Sequence, residues 1–189
     1  MNGTQLDGGA PQLRAARQSD GDALGQFVSG LSLQSRYLRF FAGVPRVTPT
    51  MLRRMTGTRG PAGEYVDALV AVEDGGIIGH GMATDTRNAD GTAVTEIGVV
   101  VADAWQRHGV GSALTRALAT RAQARGATVL TMDVLAENRH MLTLITHHFP
   151  AARSWPAGST VTVHVPLPLA QEDQSRECPV WQPQLAGTG

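Results

Sequence analysis

The chain has no lysine; all 16 of its basic residues are arginine. A Walker-type phosphate loop closes on a lysine, so nucleotide-triphosphatase chemistry of that kind is excluded. Acylation of its own lysine side chains is excluded with it. The arginine bias has a plain explanation in the codon usage of a GC-rich genome. Cysteine is nearly as scarce. Cys178 stands alone, which rules out an intrachain disulfide framework and a Cys-rich zinc site. Among Gln, Pro and Glu it reads as an exposed thiol in a tail. The 16 acidic residues balance the arginines, so formal net charge is zero. There is then no sequence-wide electrostatic footprint for nucleic acid or an anionic membrane, and neither is expected as a partner. No apolar run approaches the ~20 residues of a membrane-spanning helix. Met1 to Gln12 lacks the basic region and apolar stretch of a secretory signal, so a cytoplasmic location is expected.

What is present suits one ordinary domain: 189 residues, 42% of them hydrophobic and 17% charged, are enough to bury a full core. No internal repeat is found. Residues 1–12 and 170–189 are rich in Gly, Gln, Pro and acidic residues without periodicity, and are expected to be flexible tails around a folded part at 13–169. A short strand is expected over Leu13 to Ala16. Ser19 and Asp22 then stand at capping-box spacing and open a helix whose Leu24, Phe27, Val28 and Leu31 share one face. Arg36 to Phe41 forms a second short helix, in which core packing is the plain reading of Tyr37, Phe40 and Phe41. Pro49 suits the first turn of a third helix through Met55. Tyr65 to Val72 and Ile77 to Ala83 read as a hairpin joined at Asp74, Gly75 and Gly76. After a loop at Asn88 to Gly91, Val94 to Val101 is the longest β-branched run.

Val110 to Arg125 follows as a helix, with Val110, Ala113, Leu114, Ala117 and Leu118 on one stripe and Gly126 as its stop. A strand over Thr128 to Leu135, a helix over Asn138 to His147 and a strand over Ser159 to Val165 complete the order. Val161 to Val165 is expected at an edge, leaving a homodimer open. Strands and helices in this order build an α/β fold, a mixed sheet covered by helices on both faces.

The chemistry is concentrated in Gln106-Arg107-His108-Gly109-Val110-Gly111-Ser112, between the strongest strand and the clearest helix. Two glycines let the backbone approach an anion, N–H groups point inward, and the helix start supplies a positive dipole end. Arg107 adds a charge-assisted donor. A pyrophosphate is the ligand such a loop suits. A dinucleotide-binding fingerprint would need a third glycine where Leu114 stands, and the lysine loop is already excluded. What remains is Gln/Arg-x-x-Gly-x-Gly/Ala, the spacing of the GNAT superfamily of N-acetyltransferases. From Glu96 to Arg139, through Trp105-Gln106 and Glu137-Asn138-Arg139, the chain resembles the acetyl-CoA-binding half of that fold. Leu31-Ser32 and Ser35-Arg36-Tyr37-Leu38-Arg39-Phe40-Phe41 resemble the matching segment of bacterial protein-lysine acetyltransferases, the Pat group.

The resemblance implies a GNAT-like, mostly antiparallel central sheet and transfer of an acetyl group from acetyl-CoA to a primary amine, with a protein lysine slightly favoured over a small molecule. An attacking amine must shed a proton, since a lysine-type amine has a pKa of ~10.4. Glu96, in a Glu-x-x-Val-Val-Val setting, is the general base by this resemblance, and partial burial would tune it for that role. Backbone groups of Val99 and Val101 are expected to pair with pantetheine, the Val101 N–H to polarise the thioester carbonyl, and Asn138 to bond the pantetheine arm or cap its helix. Gln106 to Ser112 would take the pyrophosphate, with Trp105 packed beneath.

The acceptor would lie near Tyr37 to Arg54 and Arg153 to Val165. One departure concerns the general acid: the tyrosine that many relatives carry seven residues after the asparagine is Ile145 here. His147-His148-Phe149-Pro150 also replaces the usual helix ending, and these differences keep a non-catalytic acyl-CoA-binding or sensor domain as the alternative. Adjacent His147 and His148 point apart on a helix and form no metal face, and His80, His108, His140 and His164 are scattered, so no metal is expected.

Overall fold

A computed structural model describes residues 11–41, 47–57, 64–87, 91–168 and 184–185. Strand β1 (Gln12–Ala15) leads to helices α1 (Gly21–Gly30), α2 (Leu33–Phe40) and α3 (Pro49–Met55). Strands β2 (Tyr65–Glu73), β3 (Gly76–Arg87) and β4 (Ala93–Val101) form an antiparallel meander. Helix α4 (Val110–Ala124), strand β5 (Val129–Leu135), helix α5 (Arg139–His148), the hairpin of β6 (Arg153–Ala157) and β7 (Thr160–Pro166), and a two-residue β8 (Gln184–Leu185) follow. They form one sheet ordered β6-β7-β5-β4-β3-β2-β1-β8. Among the described residues only β4–β5 and β1–β8 run parallel, so the sheet is mixed and mostly antiparallel, as expected.

The period of two along each strand divides the core between the two faces. Leu69 and Ala71 of β2 and Ile97 of β4 pack with Val110, Ala113, Leu114 and Leu118 of α4 and Ile145 of α5. Val70 and Val100, the alternate residues, pack with Leu24, Phe27, Val28 and Met55 of α1 and α3. Each fully buried leucine contributes about 1.5–3 kcal/mol relative to exposure. Helix α4 lies close on β3 because Gly79 and Gly81 have no β-carbon. One at Gly81 would fall 2.8 Å from Leu118 Cδ1. The far end of α4 is tied down by Arg121 and Arg125, which share the buried Asp67 carboxylate, and Arg125 also pairs with Asp85 at 2.7 Å.

Three expectations change. Ser19 and Asp22 do not form the capping box, because Asp20 takes that role. Its carboxylate accepts from the Arg17 N–H at 2.7 Å and grips Arg14 through both oxygens, placing Ser19 inside a 3-10 turn. The second change is β6, whose Arg-Ser-Trp-Pro-Ala sequence is exposed throughout and has no alternation to mark it. It has the proline of an edge strand. Its pairing with β7 means that Val161 to Val165 is flanked on both sides and is not the edge. Third, Gln184 and Leu185, in the expected C-terminal tail, pair with Gln12 and Leu13. Met1 to Ala10, Asn88 to Asp90 and Cys178 lie outside the described residues.

Candidate active site

Strands β4 and β5 pair only through Val94–Val129, Thr95–Leu130 and Glu96–Thr131. Beyond Glu96, β4 continues with β3 and β5 continues with β7, so the two strands part. Backbone direction alternates along β4. The Ala93 carbonyl accepts from Thr128 on the β5 side, whereas the Ala102 N–H donates to Ile78 on the β3 side. By that alternation Ile97, Val99 and Val101 turn their backbone groups into the gap. The gap widens into a cleft of about 530 Å³ lined by α2, β4, β5, α5 and the start of α4.

At the wide end the chain makes a 3-10 turn at Asp103–Trp105, passes through Arg107 at φ 64° and reaches Gly109 at φ 82°, the left-handed N-cap of α4. The first bond of the helix runs from the Ala113 N–H to the Gly109 carbonyl at 3.0 Å. The N–H groups of Val110, Gly111 and Ser112 therefore have no acceptor within the helix and combine with its positive end. Trp105 packs against the core beneath this loop, its ring centroid 5.9 Å from that of His108.

A polar clasp holds the loop to α2. Asp103 accepts from the Ser32 N–H at 2.9 Å and from the Ser32 and Ser35 hydroxyls, both at 2.7 Å. Gln106 Nε2 donates to Ser35 Oγ at 2.9 Å and to the Val101 carbonyl at 3.2 Å. Burial opposes the charge on Asp103, but these serine donors outweigh it and hold the carboxyl below the usual range. The clasp thus fixes the distance from α2 to the loop and to β4.

Glu96, Val99, Val101, Gln106, Arg107, Gly109, Gly111, Ser112 and Asn138 all line the cleft. His108 and Val110 do not line it. His108 Nδ1 lies 2.8 Å from the Gln106 carbonyl oxygen, on the exposed side of the loop, and the Val110 side chain is in the core. The Ser112 hydroxyl lies 3.0 Å from His148 Nε2, so only its backbone serves the loop. Asn138 Oδ1 caps α5 by accepting from the Met141 N–H, which leaves its amide nitrogen as a donor. Glu96 is exposed, not partly buried as expected, because the strand pairing ends there. Tyr37 and Phe41 are exposed as well, and Phe41 lines the cleft, while Phe40 packs on the core. Hairpin residues Ser154 to Pro156, Val161 and Val163 line a separate hollow of about 270 Å³ against α5. Ile145 is buried, so no acid occupies its position.

Sequence reasoning assigned no role to Arg39. Its guanidinium lies against Gly98, where a β-carbon would fall 2.6–2.8 Å from Cζ and both terminal nitrogens. The close placement of Arg39 on β4 therefore depends on a distant glycine and leaves no local signal. Desolvation pulls this guanidinium down to about 10, against the attraction of Glu96.

The parted strand pair thus stands beside a helix start rich in free N–H groups. Residues 36–149 match the Acetyltransferase (GNAT) family, and the chain belongs to that family. It is an acyl-CoA-dependent N-acetyltransferase. Among solved structures it is similar to the GNAT domain of PAT from S. lividans, at 25% identity and TM-score 0.71, covering 82% of this chain and 89% of that one. A GCN5-related N-acetyltransferase from Kribbella flavida has the same fold at 24% identity and TM-score 0.62, covering 84% and 98%. So does a phosphinothricin acetyltransferase from Sinorhizobium meliloti in complex with acetyl-CoA, at 18% identity and TM-score 0.66, covering 84% and 89%. No curated protein matches the sequence. No helix among the described residues is long and apolar enough to cross a membrane.

Proposed function

We propose that the chain transfers the acetyl group of acetyl-CoA to a primary amine by direct attack, with Glu96 as general base. The observation that carries this reading is the parting of β4 and β5 immediately after Glu96. It leaves the backbone groups of Val99 and Val101 suited to the amide arm of pantetheine as an added strand. Asn138 supplies a further donor to that arm. The loop from Gln106 to Ser112 is suited to the pyrophosphate, with Arg107 as a charged donor. The Val101 N–H is suited to the thioester carbonyl as charge develops on it.

Glu96 lies where the parted strands meet and is open to solvent, so it takes a proton from the ammonium and passes it to water. The amine nitrogen then bonds to the acetyl carbon, the carbon–sulfur bond breaks, and the nitrogen sheds its second proton to water. The leaving thiolate, of basicity comparable to a cysteine's at ~8.5, takes its proton from water, since Ile145 offers none. A protein lysine and a small molecule both provide such an amine.

A thiol-release assay over a panel of primary amines tests the reading. Glu96→Gln should lower kcat/KM roughly a hundredfold at neutral pH, with recovery as pH approaches the pKa of the amine. An equally small loss at neutral and high pH would remove Glu96 as the base. Acetyl-CoA binding with no release for any amine would turn the reading toward an acyl-CoA sensor.

A further inference from the structure

Arg39 is a charge with no counter-ion in contact. Arg14, Arg121 and Arg125 each grip an aspartate, whereas Arg39 makes no hydrogen bond or ion pair among the described residues, and its Nε is buried without a partner. Its one aromatic contact is the Phe40 ring at 5.3 Å. The residue as a whole is only partly buried, but packing the guanidinium on Gly98 with no partner still strips part of its hydration, which is costly unless something pairs with it. The guanidinium also lines the cleft, together with Glu96.

The two groups share one face of β4. Glu96 and Gly98 are two residues apart, so the Glu96 side chain and the guanidinium resting on Gly98 start roughly 7 Å from each other along the strand. They attract across that distance but are not in contact, and Arg54 adds a second positive charge nearby. One carboxylate beside two cations suits a ligand that carries both signs. We propose that Arg39 binds a carboxylate on the acceptor, and that the acceptor is a small zwitterionic amine of the amino-acid type, its ammonium at Glu96 and its carboxylate at Arg39.

A protein lysine does not meet this requirement. Its ammonium ends a four-carbon stem, so an acidic neighbour in the same chain stays at the mouth of the cleft when the amine reaches Glu96. A carboxylate two to four bonds from the amine reaches both groups at once. This inference rests on the amine-acetylation reading above, and its test is arranged so that the two fail separately.

The probes are the common amino acids, their carboxamides and a lysine blocked at both its amino and carboxyl ends. Each is titrated by calorimetry into the coenzyme A complex and assayed for thiol release with acetyl-CoA. The wild-type protein should prefer at least one amino acid over its carboxamide by roughly a hundredfold, the worth of a bidentate charged pair. In Arg39→Met that ratio should collapse toward one, and Arg39→Lys should restore part of it. Acetyl-CoA binding verifies that each variant is folded. Preference for blocked lysine or for carboxamides, or an equal loss for acid and amide in Arg39→Met, overturns the proposal. Carboxylate-selective binding that depends on Arg39, without thiol release from any probe, supports the anion site and sinks the acetylation reading. Absence of amino-acid binding to the wild-type complex overturns the anion site alone.

Discussion

His80 stands on β3 between the two glycines under α4, with its own side chain on the opposite face and no exposed surface. Its Nε2 donates to the Met55 carbonyl at 2.9 Å, and Nδ1 is buried without a partner among the described residues. Burial lowers its pKa to about 4, with the Met55 bond opposing and the Arg39 charge reinforcing. In the unfolded chain an imidazole titrates near 6.5. The unfolded state therefore binds more protons throughout the interval between these values, and stability must fall as pH drops through it. The stability is complete above about pH 6.5 and reaches its floor near pH 4. Between pH 7.5 and 5 the loss is about 2 kcal/mol, from the difference of the two titrations. That is about 4–8 °C in Tm for a domain of this size. Asp20 and Asp103 do not blur the window. Arg14 and the Arg17 N–H hold the first below its usual range against burial, the serine donors hold the second, and both lose stability only below about pH 3.8. Urea melts of the wild type and His80→Gln across pH 5–7.5 test this, because the amide still reaches Met55 but does not titrate. A wild-type slope that His80→Gln leaves unchanged would refute the argument.

The site makes two further predictions besides the Glu96 and Arg39 variants. Gly109→Ala forces a left-handed φ on an alanine and should cost about 1 kcal/mol, while acetyl-CoA affinity falls about tenfold as the loop N–H groups turn away, read by calorimetry. Ser35→Ala removes the centre of the clasp and should cost about 1 kcal/mol, with a several-fold rise in the KM for acetyl-CoA as Gln106 is released; an unchanged KM would show that the clasp does not position the loop.

Which parts of this arrangement were legible depended on whether their cause was local. The turn into α4 could be read because its glycines lie within seven consecutive residues, and Gly109 does stand as the left-handed N-cap of that helix. The sheet could be read because its strands alternate or run apolar. Strand β6 could not, since its pairing with β7 replaces any signal of its own. Asp20, not Ser19, caps the first turn because Arg14, six residues away on β1, reaches it. The cleft divides in the same way. The side proposed for the donor follows from spacing, whereas the side proposed for the acceptor is made by α2 lying on β4. That contact is set by Asp103 holding Ser32 and Ser35, and it is permitted only because residue 98 has no side chain. Neither Arg39 nor Gly98 is informative alone. Together they leave a guanidinium without a counter-ion beside the proposed base, and from that pairing the acceptor is read as an acid as well as an amine.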